Sequence, residues 1–212
     1  MMLEWVSIQF LLLSSLWTIA ISAIAFVGGS ILGLLIAIVN VTAPRHIRTV
    51  VLAIIQLVQA TPLLVVILLT YYGLSTMGLR VPPLAAAGVS LVLFSAVYLA
   101  EIWRGCIESI PKQQWEAAEA LALSAVQRLR YVILPQALRI SRPATAGFLV
   151  QIVKNSSLTS LIGFVELTRA GQLISNSTFE PLKVFVVVAA IYFAICFPIS
   201  WLSERFKRGV NV

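Results

Sequence analysis

The chain has 212 residues, of which 60% are hydrophobic and 11% charged, with 15 Lys and Arg against 8 Asp and Glu for a formal net charge of +7. A soluble domain of this length needs a polar surface, but these charges bunch at the ends of apolar runs, several of which exceed the ~18 residues that mark a membrane span. The composition describes an integral membrane protein; nucleic-acid binding, the competing reading of the basic charge, lacks a basic patch with interleaved aromatics outside those flanks.

Five spans are expected, at roughly 10–39, 50–73, 84–104, 136–157 and 183–203. Glu4 stands where a cleavable leader carries positive charge, and the apolar stretch from Phe10 outruns a leader, so the first segment reads as a retained span. At about 45 Å it must tilt or project from the bilayer. Its Gly29 and Gly33 have small-xxx-small spacing, which suits close packing against another span or against a second subunit. His46, beside Pro44, Arg45 and Arg48, reads as a solvated residue of a short polar break.

The second span carries Gln56, Gln59 and Thr61, followed by Pro62, which cannot donate to the Val58 carbonyl and so kinks the helix. Gln59 and Thr61 are candidate substrate-pathway residues; the alternative is a packing kink whose freed carbonyl is satisfied by a neighbouring helix. Tyr71 and Tyr72 fit an interfacial aromatic belt. In the third span Glu101, Arg104 and Glu108 have helical pair spacing, either as a structural charge cluster or with Glu101 drawing a cationic substrate into the inner vestibule.

Between the third and fourth spans, residues 109–135 interrupt the apolar pattern. From Pro111, Trp115, Ala118, Ala122, Ala125, Val126 and Leu129 recur at helical spacing, with Glu116, Glu119, Gln127, Arg128 and Arg130 elsewhere on the wheel. This predicts one amphipathic helix whose small-residue stripe suits a partner's groove or a membrane surface. The fourth span, opening after Pro135, is the least apolar: Gln151, Lys154, Asn155, Ser156 and Ser157 form a polar set at its far end. They are candidates to replace water around a zwitterion, with Lys154 meeting a carboxylate; alternatively, Lys154 snorkels outward and the amides join helices. Cys106 and Cys196 read as packing residues.

Arg45 and Arg48, the basic residues from Arg104 to Arg142, and Arg205, Lys207 and Arg208 fall on one side of this topology; Arg80, Arg169 and Lys183 fall on the other. The positive-inside rule then places the N-terminus outside and the C-terminus in the cytoplasm.

Glu116, Ala117 and Ala118, followed at fixed spacing by Val132, Leu134 and Pro135, resemble the EAA signature of ABC-importer permease subunits. "QATPLLVVILLTYYGL" (59–74), "YLAEIWRGCIESIPKQQWEAAEAL" (98–121) and "KNSSLTSLIGFVEL" (154–167) are similar to the polar amino acid branch of that family. The resemblance implies an all-α membrane protein with the type I ABC importer transmembrane fold, a single domain of five helices with a cytoplasmic coupling-helix insert. It implies a bacterial inner-membrane importer in which this chain pairs with a second permease chain, identical or sibling, and with an ABC ATPase subunit dimer. A periplasmic or lipid-anchored substrate-binding protein delivers the amino acid. No cofactor belongs to this chain, which has no P-loop and is not an enzyme; ATP and Mg belong to the partner ATPase. Membrane lipid surrounds it, and nucleic acid is not a partner.

Glu116, Ala117, Ala118, Ala122, Leu123 and Ser124 are then the ATPase-coupling residues, with Ala117 and Ala118 allowing close approach. A bulky residue at Ala118 is expected to uncouple transport from ATP hydrolysis with the spans intact. Ala122 replaces the family's glycine; because Ala resists positive φ, the expected bend is shallower or nearer Ser124. Asn176-Ser177-Thr178, a formal glycosylation sequon, is read as an external loop cap in such an importer. The alternative function is a gradient-driven small-solute transporter or channel without an ATPase, whose inverted repeats and midplane ionisable residue are not evident.

Overall fold

Gly29 and Gly33 determine how the first helix, α1 (Trp5–Thr42), meets the third expected span, α5 (Pro83–Glu108). The structure, a computed structural model, describes residues 5–210, so Glu4 lies outside the described residues. A Cβ at Gly29 would lie 2.5 Å from the Ser95 Cβ, and one at Gly33 2.7 Å from the Ala96 carbonyl oxygen. Backbones this close exclude any larger residue, so the small-residue spacing is used within the chain. Gly29 meets Ser95 and Gly33 meets Ala96 to Ala100, so α1 and α5 run parallel.

Two parallel helices joined in sequence need a return path. It is supplied by α2 (Arg45–Gln59), then α3 (Leu63–Leu68), a π-helical turn (Leu69–Gly73) and α4 (Leu74–Thr76). The 50–73 stretch, expected as one kinked span, is a pair of helices bent by 96°. The chain corrects itself locally: Thr61 N donates to the Val58 carbonyl at 3.2 Å, so the acceptor that Pro62 cannot serve needs no neighbouring helix. Exposed His46 lies in the first turn of α2, not in a loop.

The 109–135 insert is not one helix. α6 (Lys112–Ala120) stops short, and α7 (Ala125–Gln127) continues through a π-helical turn (Arg128–Ile133) into α8 (Leu134–Asn155) and a 3-10 segment (Ser156–Ile162). The fourth helical rod therefore starts ten positions before Pro135. The π turn ends two residues before that proline, where a wider backbone register accommodates the missing donor. Tyr98 stacks on Phe148 with centroids 5.6 Å apart, and Trp103 Nε1 donates to Thr145 Oγ1 at 2.9 Å, making α8 antiparallel to α5.

Two more helices complete the bundle, α9 (Leu167–Thr178) and α10 (Pro181–Val210). α9 was not expected; Asn176 to Thr178 form its last turn, where the Ser177 and Thr178 hydroxyls donate to the Ile174 carbonyl at 2.9 Å each. Val150 and Val153 pack with Cys196, and Ser203 Oγ donates to the Pro143 carbonyl at 2.8 Å, so α10 is antiparallel to α8. Cys196 is buried and Cys106 half-buried, both free thiols among packed side chains. By length and composition, α1, α5 and α10 can each cross a membrane, and the two bent pairs raise the count to as many as five.

Candidate functional site: the coupling turn and the polar face

α6 ends in a backbone motif. Leu123 N donates to the Ala118 carbonyl at 3.3 Å and Ala122 N to the Glu119 carbonyl at 2.8 Å, the bond pair of a Schellman helix stop with Ala122 as its left-handed residue. Ala122 has φ of +55°, so the bend lies at the glycine-replacing position itself, not nearer Ser124. The two hydrogen bonds and the restart of the helix outweigh about 1–2 kcal/mol of Cβ strain. Ser124 caps the restart: Gln127 N donates to Ser124 Oγ at 3.4 Å, and Ser124 N to Gln127 Oε1 at 2.9 Å.

The motif residues divide by exposure. Glu116, Ala117, Ala120 and Ala122 face outward, as do Leu121 and Val126, which are 74% and 73% exposed. Ala118 is only 2% exposed, because α6 lays it against its own chain. The expectation that Ala118 approaches a partner is therefore corrected: Ala118 sets the height of α6 above the bundle, and Ala117 belongs to the free face. Leu123 is half-buried as it turns back.

Behind α6, Trp115 joins Ile107, Ile110, Leu129, Ile133 and Ala137 in one apolar cluster, tying α6 to the ends of α5 and α8. Polar links reinforce it: Arg128 Nη1 donates to Glu119 Oε2 at 2.7 Å, and Gln136 Nε2 to Gln114 Oε1 at 3.2 Å. Arg104 pairs with both Glu101 and Glu108, and Glu108 also accepts from Arg48 Nη2 at 2.9 Å. The Glu101 carboxylate is thus engaged within its own helix.

At the other end of the α8 rod, Gln151 and Lys154 face outward, with Gln151 Nε2 donating to Asn155 Oδ1 at 3.0 Å. Ser156 departs from this face: it is fully buried and its Oγ donates to the Val153 carbonyl at 2.8 Å. Ser157 Oγ donates to the Lys154 carbonyl at 2.7 Å, and Thr61 Oγ1 to the Leu57 carbonyl at 2.9 Å. Gln59 lies half-buried at the α2 end, just before the bend. Leu158 of the 3-10 segment packs in one cluster with Leu63 and Ile67 of α3, bringing the bend beside this end of the rod.

One residue absent from the sequence-based candidates organises this end. Glu166, 0% exposed, accepts from Thr168 N, Arg169 N and Tyr192 Oη at 2.9 Å each, and from Thr18 Oγ1 at 3.4 Å. It caps α9 while joining it to α1 and α10. The available signal was an acid between apolar Val165 and Leu167, which needs a full donor shell to be buried.

The fold is that of an ABC transporter membrane component. It superposes on the crystal structure of an amino acid ABC transporter with histidines with a TM-score of 0.89 and 32% identity, over 98% of this chain and 99% of that one. The MetNI methionine ABC transporter in an inward-facing conformation shares the fold at a TM-score of 0.84 and 22% identity, over 98% and 99% of the two chains.

The chain belongs to the family described as binding-protein-dependent transport system inner membrane component, which matches residues 29–212. It is 34% identical to the glutamine transport system permease protein GlnP of Escherichia coli (strain K12), over 98% of this chain and 96% of that protein. It is also 34% identical to the probable amino-acid ABC transporter permease protein YckA of Bacillus subtilis (strain 168), over 85% and 80% of the two. The family is one of multi-pass inner-membrane transport components, and the match favours ATP-binding-cassette transport over a gradient-driven transporter or channel.

Proposed function

We propose that this chain is the permease subunit of an importer for polar amino acids, driven by ATP and Mg bound to a separate ATPase dimer. An external binding protein supplies the substrate, and a second permease chain completes the pathway. The observation that carries the substrate class is the 34% identity to a glutamine permease over 98% of the chain. The basic ends of α5, α8 and α10 face the cytoplasm in this reading, which leaves the N-terminus outside.

The exposed face of α6, with Glu116, Ala117 and the Ala122 to Ser124 turn, seats on the ATPase. Closure of the ATPase dimer moves α6, and the apolar cluster behind it carries that motion into α5 and α8 as a rigid body. Because α8 continues without interruption to Asn155, displacement at the turn reaches the polar face of Gln151, Lys154 and Asn155. There the Lys154 ammonium meets the substrate carboxylate, with Ser157 alongside and Gln59 and Thr61 across the bend. Glu101, held by Arg104, shapes the inner vestibule; buried Ser156 supports the wall.

The test is uptake by proteoliposomes holding the assembled complex, against a panel of labelled amino acids. The reading requires ATP-dependent accumulation of a polar amino acid that stops when the ATPase site is disabled. Uptake that persists without ATP and follows an ion gradient sinks it. Lys154→Gln is expected to raise KM for uptake about tenfold; an unchanged KM removes Lys154 from the pathway.

A further inference from the structure

A groove lies at the basic end of the bundle, away from both α6 and the polar face. It is an open groove of about 340 Å³ whose sides are α8, with Leu138, Arg142 and Leu149, and α10, with Leu202 and Phe206; Phe26 of α1 and Trp103 of α5 also line it. From Leu138 to Leu149 it follows α8 for about 16 Å, the reach of an extended hydrocarbon chain rather than of a compact solute. Its walls are largely apolar, and the Ser141 and Thr145 hydroxyls that also line it are engaged within the bundle, with the Leu138 carbonyl and Trp103 Nε1.

The mouth is cationic without compensation. Arg142 lines it, and Arg139 lies one turn nearer the end of α8; both are exposed, and neither makes a hydrogen bond or ion pair among the described residues. At the same end of α10, beside the lining residues Leu202 and Phe206, the Arg205 guanidinium lies 3.8 Å above the half-exposed Trp201 ring, and Lys207 is paired to Glu204. A tryptophan carrying an arginine on its face suits the level where acyl chains give way to headgroups.

We propose that this groove binds an anionic phospholipid, with one acyl chain between α8 and α10 and its phosphate against Arg142 and Arg139. Charge distinguishes this occupant from a second copy of the chain. A two-fold contact here would set the same unpaired arginines against each other in a low-dielectric setting. An anionic headgroup neutralises them, and basic pockets between membrane helices are suited to such headgroups.

The assembled transporter in detergent is titrated with phosphatidylglycerol and, separately, with phosphatidylcholine of the same acyl chains, and bound lipid is read by native mass spectrometry. Phosphatidylglycerol is expected to occupy one site per permease chain at lower concentration. Arg142→Gln, which removes no hydrogen bond or ion pair among the described residues, weakens that binding about fivefold, and Arg142→Lys restores it. Ala146→Leu, which fills the groove wall, lowers occupancy by either lipid. Equal binding of the two lipids, or phosphatidylglycerol binding unchanged in Arg142→Gln, overturns the proposal. So does competition by glycerol 3-phosphate at the same concentration, which would mean that the chain contributes nothing. A disulfide between copies through Leu149→Cys in membranes would assign the groove to a protein neighbour and overturn it as well.

Discussion

Asn40 and Glu166 are both polar and almost fully buried, at opposite ends of the bundle, and they are served differently. Glu166 has four donors from three helices. Among the described residues neither Asn40 Nδ2 nor Oδ1 has a partner, although its neighbours Ile38 and Val41 pack in the cluster behind α6. The backbone shows a parallel contrast: the left-handed turn before α9 uses Gly163 at φ +84°, and the one after α6 uses Ala122 at +55°. The left-handed form is not peculiar to the α6 end, since exposed Phe179 adopts it after α9 at φ +56°. The junction before α9 is closed on itself, whereas the α6 end keeps, among the described residues, a buried amide without a partner, of the kind that collects where segments must move.

Substitutions at four positions test this difference. Glu166→Ala takes the carboxylate acceptor from Thr168 N and Arg169 N and its bonds from Tyr192 and Thr18, whose hydroxyls keep only Thr168 Oγ1 and Leu167 N, and is expected to destabilise the protein by about 3 kcal/mol, read as a lowered Tm and poor yield from membranes. Glu166→Gln retains an acceptor and should lose less. Ala118→Leu forces α6 off the bundle at about 2 kcal/mol of overpacking, lowering Tm as well as transport; a normal Tm with transport alone lost would restore Ala118 to the partner face.

The α6 end responds in the opposite direction. Asn40→Leu keeps the volume and removes an unpaired amide, so stability should rise by about 1 kcal/mol; a loss of that size would mean that the amide is satisfied by water or a partner. Ala122→Gly relieves the left-handed residue and should add about 1 kcal/mol, seen as a slightly raised Tm with ATPase stimulation preserved.

Much of this was legible because apolar length and small-residue spacing are local signals. Gly29 and Gly33 announced a close helix contact, and Pro62 a kink. The 96° size of that bend was not legible, since it depends on Thr61 taking over the Val58 carbonyl. The Ala-rich insert misled in the other direction. Its helical spacing runs unbroken past Ala122, whereas the structure stops the helix there through two backbone bonds that side-chain periodicity does not encode. On the polar face, spacing grouped Ser156 with Gln151 and Lys154, but the helix tightens to a 3-10 segment at that residue and turns it inward. Glu166 escaped notice because its partners, Thr18 and Tyr192, are distant in sequence.

The central claim is that the outward face of α6 delivers the motion of a separate ATPase to the bundle. Single cysteines at Ala117, Leu121 and Val126, in the assembled transporter, test it by cross-linking to the ATPase with and without ATP. The account predicts capture of the ATPase from Ala117 and Leu121, with nucleotide-dependent yield and loss of uptake once the link has formed. A fully active transporter in which none of these positions ever captures the ATPase would contradict it.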